Sequence, residues 1–350
     1  MFGLLPEAIS AELAAHGVTV RDDEARRILA HSISPMARRD AKKRPISKAL
    51  QANVDKLFRA TPLEVLERAQ DSADGFVKYL FKHPDGALSE AVRIPLHKPN
   101  HFTICLSSQV GCAMGCAFCA TASLGLTRNL ETWEIVSAFS LVRDEAPGRV
   151  TGAVFMGQGE PLGNYDNVIA AAKLISHPCG GRVAGDMITL STVGLVPQIR
   201  RFVREGHPHR LIVSLVSAMQ EKRQRLLPVA ARYPLSELAA ALKEYGKACN
   251  NRVTVAWVLL SGVNTGPDEV EALVALLGDL RLRINLIDLN ETERAQTHFK
   301  RATDAERQTL MDSLGQLGFP VVRRYSGGAH KHAACGMLAA TFQETPAPNS

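Results

Sequence analysis

"TICLSSQVGCAMGCAFCA", residues 103–120, is the stretch from which the rest is read. Its first eight residues, TICLSSQV, are a short apolar, β-rich run. They lead directly into a loop that carries Cys112, Cys116 and Cys119 in the spacing CxxxCxxC. Three soft ligands this close together, in a chain with 7 cysteines in all, read as a metal or thiol site in a reducing compartment, not as a secreted disulfide framework. A structural zinc site is closed by a fourth ligand, and the nearest ones here are Cys105 and His101, on or before the strand. A four-iron cluster held by three thiolates leaves one iron open, and an open iron is where a substrate can bind.

Downstream the same grammar repeats. GAVFMG (152–157), MITLSTVG (187–194), RLIVSLVSA (210–218), VTVAWVLL (253–260) and INLIDL (284–289) are further short β-rich runs. Helical stretches such as NYDNVIAAAKLIS (164–176), LSELAAALKEYGKAC (235–249) and PDEVEALVALLGDL (267–280) lie between them. Parallel strands need helical crossovers, and a right-handed series of them curls toward a barrel. The expected fold is therefore α/β, a partial (β/α)6 barrel over residues 103–340, with FPVVRRYS (319–326) as an added edge strand. Sites in such folds gather at the C-terminal strand ends, where the thiol loop, MGQGEPL (156–162) and LSTVG (190–194) all fall. Glycines let backbone approach a ligand and a carboxylate beside them can hold an ammonium, so Gly159 and Glu160 read either as part of a ligand site or as a tight strand-to-helix turn that leaves the carboxylate idle. Ser191 sits where a hydroxyl reaches a ribose or carboxylate, or else caps a helix.

Upstream, residues 1–85 read as a small helical domain: PEAISAELAAHG, DDEARRILAHSI, ISKALQANVDKLF and TPLEVLERAQ have apolar positions at helical spacing, the last opened by a Thr-Pro start signal. FVKYLFKHPDGALSEAVRIPL (76–96) has two alternating runs around a Pro-Asp-Gly turn, a β hairpin expected to link the two parts through residues 86–102. The tail, 341–350, reads as disordered.

Over 350 residues, 46% apolar and 22% charged composition excludes extended disorder. No segment reaches the run of apolar residues a membrane span requires, and the N-terminus lacks a basic leader and a cleavage site, so a cytoplasmic protein without a membrane partner is expected. The formal charge of +6 is concentrated in ARRDAKKRP (37–45), RRFVREGHPHR (200–210), EKRQR (221–225) and RRYSGGAHKH (323–332), each a solvated surface by itself and together a fit to RNA.

The three thiols, with Phe118 before the last, resemble the radical S-adenosylmethionine (SAM) superfamily, whose 4Fe-4S cluster binds the amino and carboxylate groups of SAM and cleaves it reductively. The longer runs CLSSQVGCAMGCAFCATASLGLTRNL (105–130), MGQGEPL and AACGMLA (333–339) resemble the family of dual-specificity RNA adenine methyltransferases, RlmN and Cfr, along nearly the whole chain. That resemblance implies a 4Fe-4S cluster on Cys112, Cys116 and Cys119, and SAM held by Gly159, Glu160, Ser191, Ser214 and Asn290. It implies 23S rRNA as substrate, with tRNA as a second, an electron donor such as flavodoxin, and a monomer. Carbon 2 of adenine is electron-poor and has no acidic proton, so ordinary methyl transfer lacks a nucleophile, and a radical route avoids the obstacle. By resemblance, one SAM methylates Cys335; a second yields a 5'-deoxyadenosyl radical that takes a hydrogen from the S-methyl group, and the carbon radical adds to the base. Cys105 then resolves the adduct and ends as a disulfide with Cys335. Glu90, in SEAVRIP, matches the family's acidic residue and is the candidate general base, against the alternative of a solvated hairpin glutamate. Cys179 and Cys249 read as small core hydrophobes.

The chain departs from the family at Val216, where histidine is usual, at Ala256, where glutamate is usual, and at Leu289 and Glu291, where tryptophan and proline are common. These positions bear on the acceptor and leave open carbon 8 of adenine or a different target. A reading of another class, an RNA-binding or assembly protein with a structural metal, has no use for Cys105 and Cys335.

Overall fold

The computed structural model describes residues 3–33, 46–58, 63–71, 73–249, 252–291, 299–324, 327–328 and 332–339. The basic run 37–45 and the tail 341–350 lie outside the described residues.

The apolar runs of the C-terminal two thirds become strands β4 (His101–Leu106), β7 (Arg149–Phe155), β8 (Ile188–Thr192), β9 (Arg210–Ser214), β10 (Arg252–Leu259), β11 (Arg281–Asp288) and β12 (Val321–Arg324). They pair in that order and all in parallel, β10 and β11 over eight consecutive residue pairs from Arg252↔Arg281 to Leu259↔Asp288. Helices α4 (Thr132–Asp144), α5 (Tyr165–Ser176), α6 (Val196–Glu205), α9 (Leu235–Ala248), α10 (Pro267–Leu277) and α11 (Asp304–Gln316) alternate with them, and two short helices, α7 (Gln220–Leu226) and α8 (Val229–Arg232), follow β9. The sheet does not close on itself, so the architecture is the expected partial barrel with β12 as its edge. Ile104, Phe155, Leu190, Val213, Val255 and Leu286, one from each of six strands, are buried in one continuous core with the helices.

Before β4 the chain is less helical than expected. Helices α1 (Pro6–Ala15), α2 (Asp22–Ile33) and α3 (Lys48–Leu57) form, and Ile9, Leu13, Ile28 and Leu29 share the barrel's core with Phe139 of α4. Glu64–Gln70, expected as a helix, is instead strand β1, antiparallel to β2 (Val77–Lys82). Its side chains are mostly exposed, so packing does not decide its conformation; the open backbone edge of β2 does, and it overrides the helical preference of Leu, Glu, Arg and Ala. The hairpin forms at β2 and β3 (Leu88–Pro95), and β3 pairs with β4, so it extends the sheet to ten strands, β1-β2-β3-β4-β7-β8-β9-β10-β11-β12. Among the described residues no helix is long and apolar enough to cross a membrane.

Candidate active site

The thiol loop is presented by a two-stranded hairpin, β5 (Gln109–Gly111) against β6 (Leu126–Asn129), set on the C-terminal end of β4. Gly111 has φ +74°, and a Cβ there would lie 1.9 Å from the Gly125 carbonyl oxygen. No other residue lets the two strands close, and the Cys112 N–H donates to that same carbonyl at 2.7 Å. The loop is held from below by the Ala117 N–H, which donates to the Leu226 carbonyl at the end of α7 at 3.0 Å.

Cys112, Cys116 and Cys119 line a cavity of about 1030 Å³, counting its open mouth, at the C-terminal ends of the parallel strands. Gly159, Glu160, Ser191, Ser214, Asn290 and Cys335 line the same cavity. Glu160 is buried and accepts from the Leu162 N–H and the Val193 N–H, both at 2.9 Å, while its own N–H donates to Gln109 Oε1 at 2.8 Å. Burial pushes its carboxyl up to about 7, against those bonds. A carboxylate held out of water with a cavity before it is suited to receive a cation. Gly159 has φ +97°, and a Cβ would meet Gln109 Cβ at 2.6 Å, so this turn also needs glycine. Ser191 caps no helix: α6 begins after Leu195 without a side-chain cap.

Cys335 arrives from the far end of the chain. Ala120 N–H donates to the Gly336 carbonyl at 2.8 Å, Thr121 Oγ1 to the Leu338 carbonyl at 2.6 Å and Asn290 Nδ2 to the Cys335 carbonyl at 3.0 Å. Its segment is thereby tied to the thiol loop on one side and to the end of β11 on the other. Cys335 is accessible because it faces the cavity, yet burial in the surrounding protein, with Cys119 close by, pushes its thiol up to about 11. Cys105 lies behind this wall, packed with Phe76, Val92, Ala333 and Leu338. Burial, reinforced by the nearby Cys335, pushes the Cys105 thiol up to about 12.

Glu90 does not line the cavity. It is 2% exposed on β3, so the solvated reading fails; Lys78 Nζ lies 3.1 Å from its Oε1 and Gln158 Nε2 donates to its Oε2 at 3.3 Å. Glu90, Val92 and Cys105 share one face of the sheet, because Val92 pairs with Cys105 and side chains two apart point the same way. Three polar features were not legible in the sequence: the buried Gln158, the three arginines around Asp288, and Arg223. The basic run 221–225 has the composition of a solvated surface, but Arg223 is 1% exposed. No spacing distinguishes a buried arginine from a solvated one on so short a helix.

Among the described residues no three His, Cys, Asp or Glu side chains converge on a point that would hold a single metal ion. The three thiols instead ring part of a cavity. That donor set, all soft and spread around a volume, fits a multi-iron cluster bound one thiolate per iron and not a closed zinc site.

The profile of the Radical SAM superfamily matches residues 106–277. A probable RNA methyltransferase of Myxococcus xanthus is 48% identical over 279 residues, 80% of this chain and 76% of that protein. A dual-specificity RNA methyltransferase RlmN of Syntrophobacter fumaroxidans is 38% identical over 328 residues, 93% of this chain and 94% of that one. The crystal structure of a radical SAM methyltransferase from Sphaerobacter thermophilus superposes with a TM-score of 0.87 at 35% identity, covering 97% of this chain and 99% of the other.

Proposed function

From the premise that this chain belongs to the family of radical SAM RNA methyltransferases that includes the RlmN proteins, we propose that it methylates carbon 2 of an adenine in 23S rRNA, and of tRNA as a second substrate, through a methylated Cys335. One observation carries the reading: Cys335 opens into the cavity lined by Cys112, Cys116 and Cys119, with Cys105 beside it, although 230 positions separate the two outer cysteines.

Cys112, Cys116 and Cys119 would hold the 4Fe-4S cluster, and Glu160, Gly159, Ser191, Ser214 and Asn290 would bind SAM. When bound, cluster and SAM together supply a primary carbon radical. The residues of the chain do the rest. Glu160 offers a carboxylate to the SAM ammonium, and Asn290, by gripping the Cys335 carbonyl, holds the methyl-bearing sulfur at the cavity wall. Cys335 Sγ takes the methyl group as a thiolate and presents it to the base. Cys105, kept dry by Phe76 and Val92, would give up its proton and attack Cys335 Sγ as a thiolate; the sulfur–carbon bond to the base breaks as the disulfide forms, and the freed carbon takes a proton and leaves as the methyl group of the product. Glu90, which does not line the cavity, would act as a base through Cys105, with which it shares a sheet face, and is held in place by Lys78 and Gln158. An electron donor such as flavodoxin and a monomeric, cytoplasmic protein complete the proposal.

The alternative acceptor atom, carbon 8, stands beside it because Ala256 and Leu289, in place of the family's glutamate and tryptophan, both line the cavity, so groups that could orient a base are absent there. Val216 does not line it, being packed with Cys116, Leu227 and Leu260. Digestion of RNA from cells with and without the protein, followed by mass spectrometry of methyladenosine isomers, tests the reading. Loss of 2-methyladenosine supports it, loss of 8-methyladenosine moves the chemistry to the second atom, and unchanged isomers overturn both.

A further inference from the structure

Arg223, on α7, is the bulkiest side chain to be so completely buried among the described residues. Its guanidinium is held by backbone carbonyls alone: Nη1 donates to Ser214 O at 2.8 Å and to Leu215 O, Nη2 donates to Val193 O at 2.6 Å, and Nε has no partner. Among the described residues no carboxylate is hydrogen-bonded or ion-paired to it. A Cβ at Gly194 would lie 3.2 Å from Nη2, so the turn after β8 is built around the guanidinium.

A full charge removed from water costs several kcal/mol, roughly, and three carbonyl dipoles with one N–H orphaned do not offset it. Leucine or methionine would fill the same space at no such cost. The charge therefore calls for an anion. The anions on that side of the fold are those of the thiol loop, and Cys116 packs against the end of the helix that carries Arg223. The two are close through the backbone: Leu226, one turn beyond Arg223 on α7, accepts the Ala117 N–H, and Cys116 packs against Leu226 and Leu227. Arg223 does not line the cavity, so it touches nothing bound there and acts through space on the thiol loop.

We infer that Arg223 is the built-in counter-charge of the three-thiolate site, raising the reduction potential of the cluster held there by stabilising its more negative, reduced form. The inference rests on the cluster reading above. Each electron added to a cluster with three thiolates adds a negative charge in a low-dielectric setting, where a fixed cation favours the reduced form most.

The test is an EPR-monitored redox titration of anaerobically reconstituted protein, without SAM, for wild type, Arg223→Gln and Arg223→Lys. At the wild-type midpoint the ratio of reduced to oxidised cluster is expected to fall about tenfold in Arg223→Gln and to stay close to the wild-type value in Arg223→Lys, which keeps the charge. An Arg223→Gln protein that loads iron and sulfide fully and titrates with wild type overturns the inference. Should Arg223→Gln fail to fold, Arg223→Lys decides: a wild-type midpoint supports the counter-charge, and a lowered one shows that the carbonyl fork and not the charge matters. If wild type itself takes up no iron or sulfide, the cluster reading falls and this inference falls with it, whereas a loaded wild type matched by Arg223→Gln sinks the inference alone.

Discussion

Cys335 and Cys105 are separated by burial as well as by sequence: one opens into the cavity, the other is enclosed by apolar side chains. On the proposed reading their variants fail differently. Cys335→Ala should abolish methyl transfer while SAM is still cleaved reductively, measured as 5'-deoxyadenosine released per protein; Cys105→Ala should accumulate a covalent protein–RNA adduct visible on a denaturing gel. Wild-type turnover by either variant would end the two-thiol mechanism. Glu160 supplies a pH test. Its carboxyl is raised to about 7, so without a ligand it is largely protonated below that value, and an ammonium binds the ionised form better. SAM affinity, followed by calorimetry on the cluster-loaded protein, is therefore expected to rise between pH 5.5 and 7.5, by about tenfold per pH unit at most below the titration. Glu160→Gln should bind more weakly and lose that dependence.

At the scale of elements, the far edge of the sheet is secured by one carboxylate. Asp288, the last residue of β11, is 3% exposed; its Oδ2 accepts from Arg301 Nη2 at 2.8 Å and Arg323 Nη2 at 2.8 Å, and its Oδ1 from Arg307 Nη1 at 3.1 Å. These bonds join β11, β12 and α11 around a residue that also lines the cavity. Removing the acceptor leaves Arg307 buried beside two other cations. Asp288→Ala is expected to cost about 2 kcal/mol of stability in urea, less than a fully buried pair would because Arg301 and Arg323 are half exposed. An unchanged urea midpoint would show that the arginines find other partners. The β1 strand makes the complementary point: where side chains are exposed, pairing of the backbone edge decides the element and local propensity does not.

At the scale of the molecule, a buried polar network joins the antiparallel extension to the barrel. His83 lies between Glu134 of α4, Nδ1 to Oε1 2.6 Å, and Ser89 of β3, Nε2 to Oγ 2.8 Å, while Arg128 of β6 donates to both Glu134 oxygens at 2.8 Å. The hairpin, the thiol-bearing β5–β6 unit and the first barrel helix thus meet on one carboxylate. Bonds from His83 and Arg128 overcome the opposing effect of burial and hold Glu134 down to about 2. A folded carboxyl below its unfolded value contributes stability that is fully present above the unfolded value of 4.5 and is lost as pH falls toward 2. Wild type should therefore lose more stability than Glu134→Gln between pH 5 and pH 3, read from paired urea midpoints; parallel losses would remove Glu134 from the account.

How much of this was legible in the sequence follows from where each kind of information resides. The parallel strands β4 and β7 to β11 were readable because a strand buried on both faces must be a short, continuous apolar run, and the thiol loop because three ligands within eight residues need no distant partner to be noticed. Gly159 and Glu160 were readable for the same reason, since their turn is local. The strand β1, the burial of Arg223 and the pairing of Lys78 with Glu90 were not, because each is decided by a neighbour remote in sequence. The sequence alone determined the soft donor set and the βα rhythm, both local properties of the chain. Only the tertiary structure decided that Cys335 faces that donor set with Cys105 at its back, and that a cation lies buried beneath it, because proximity and dielectric are properties of the packed molecule and of no segment taken singly.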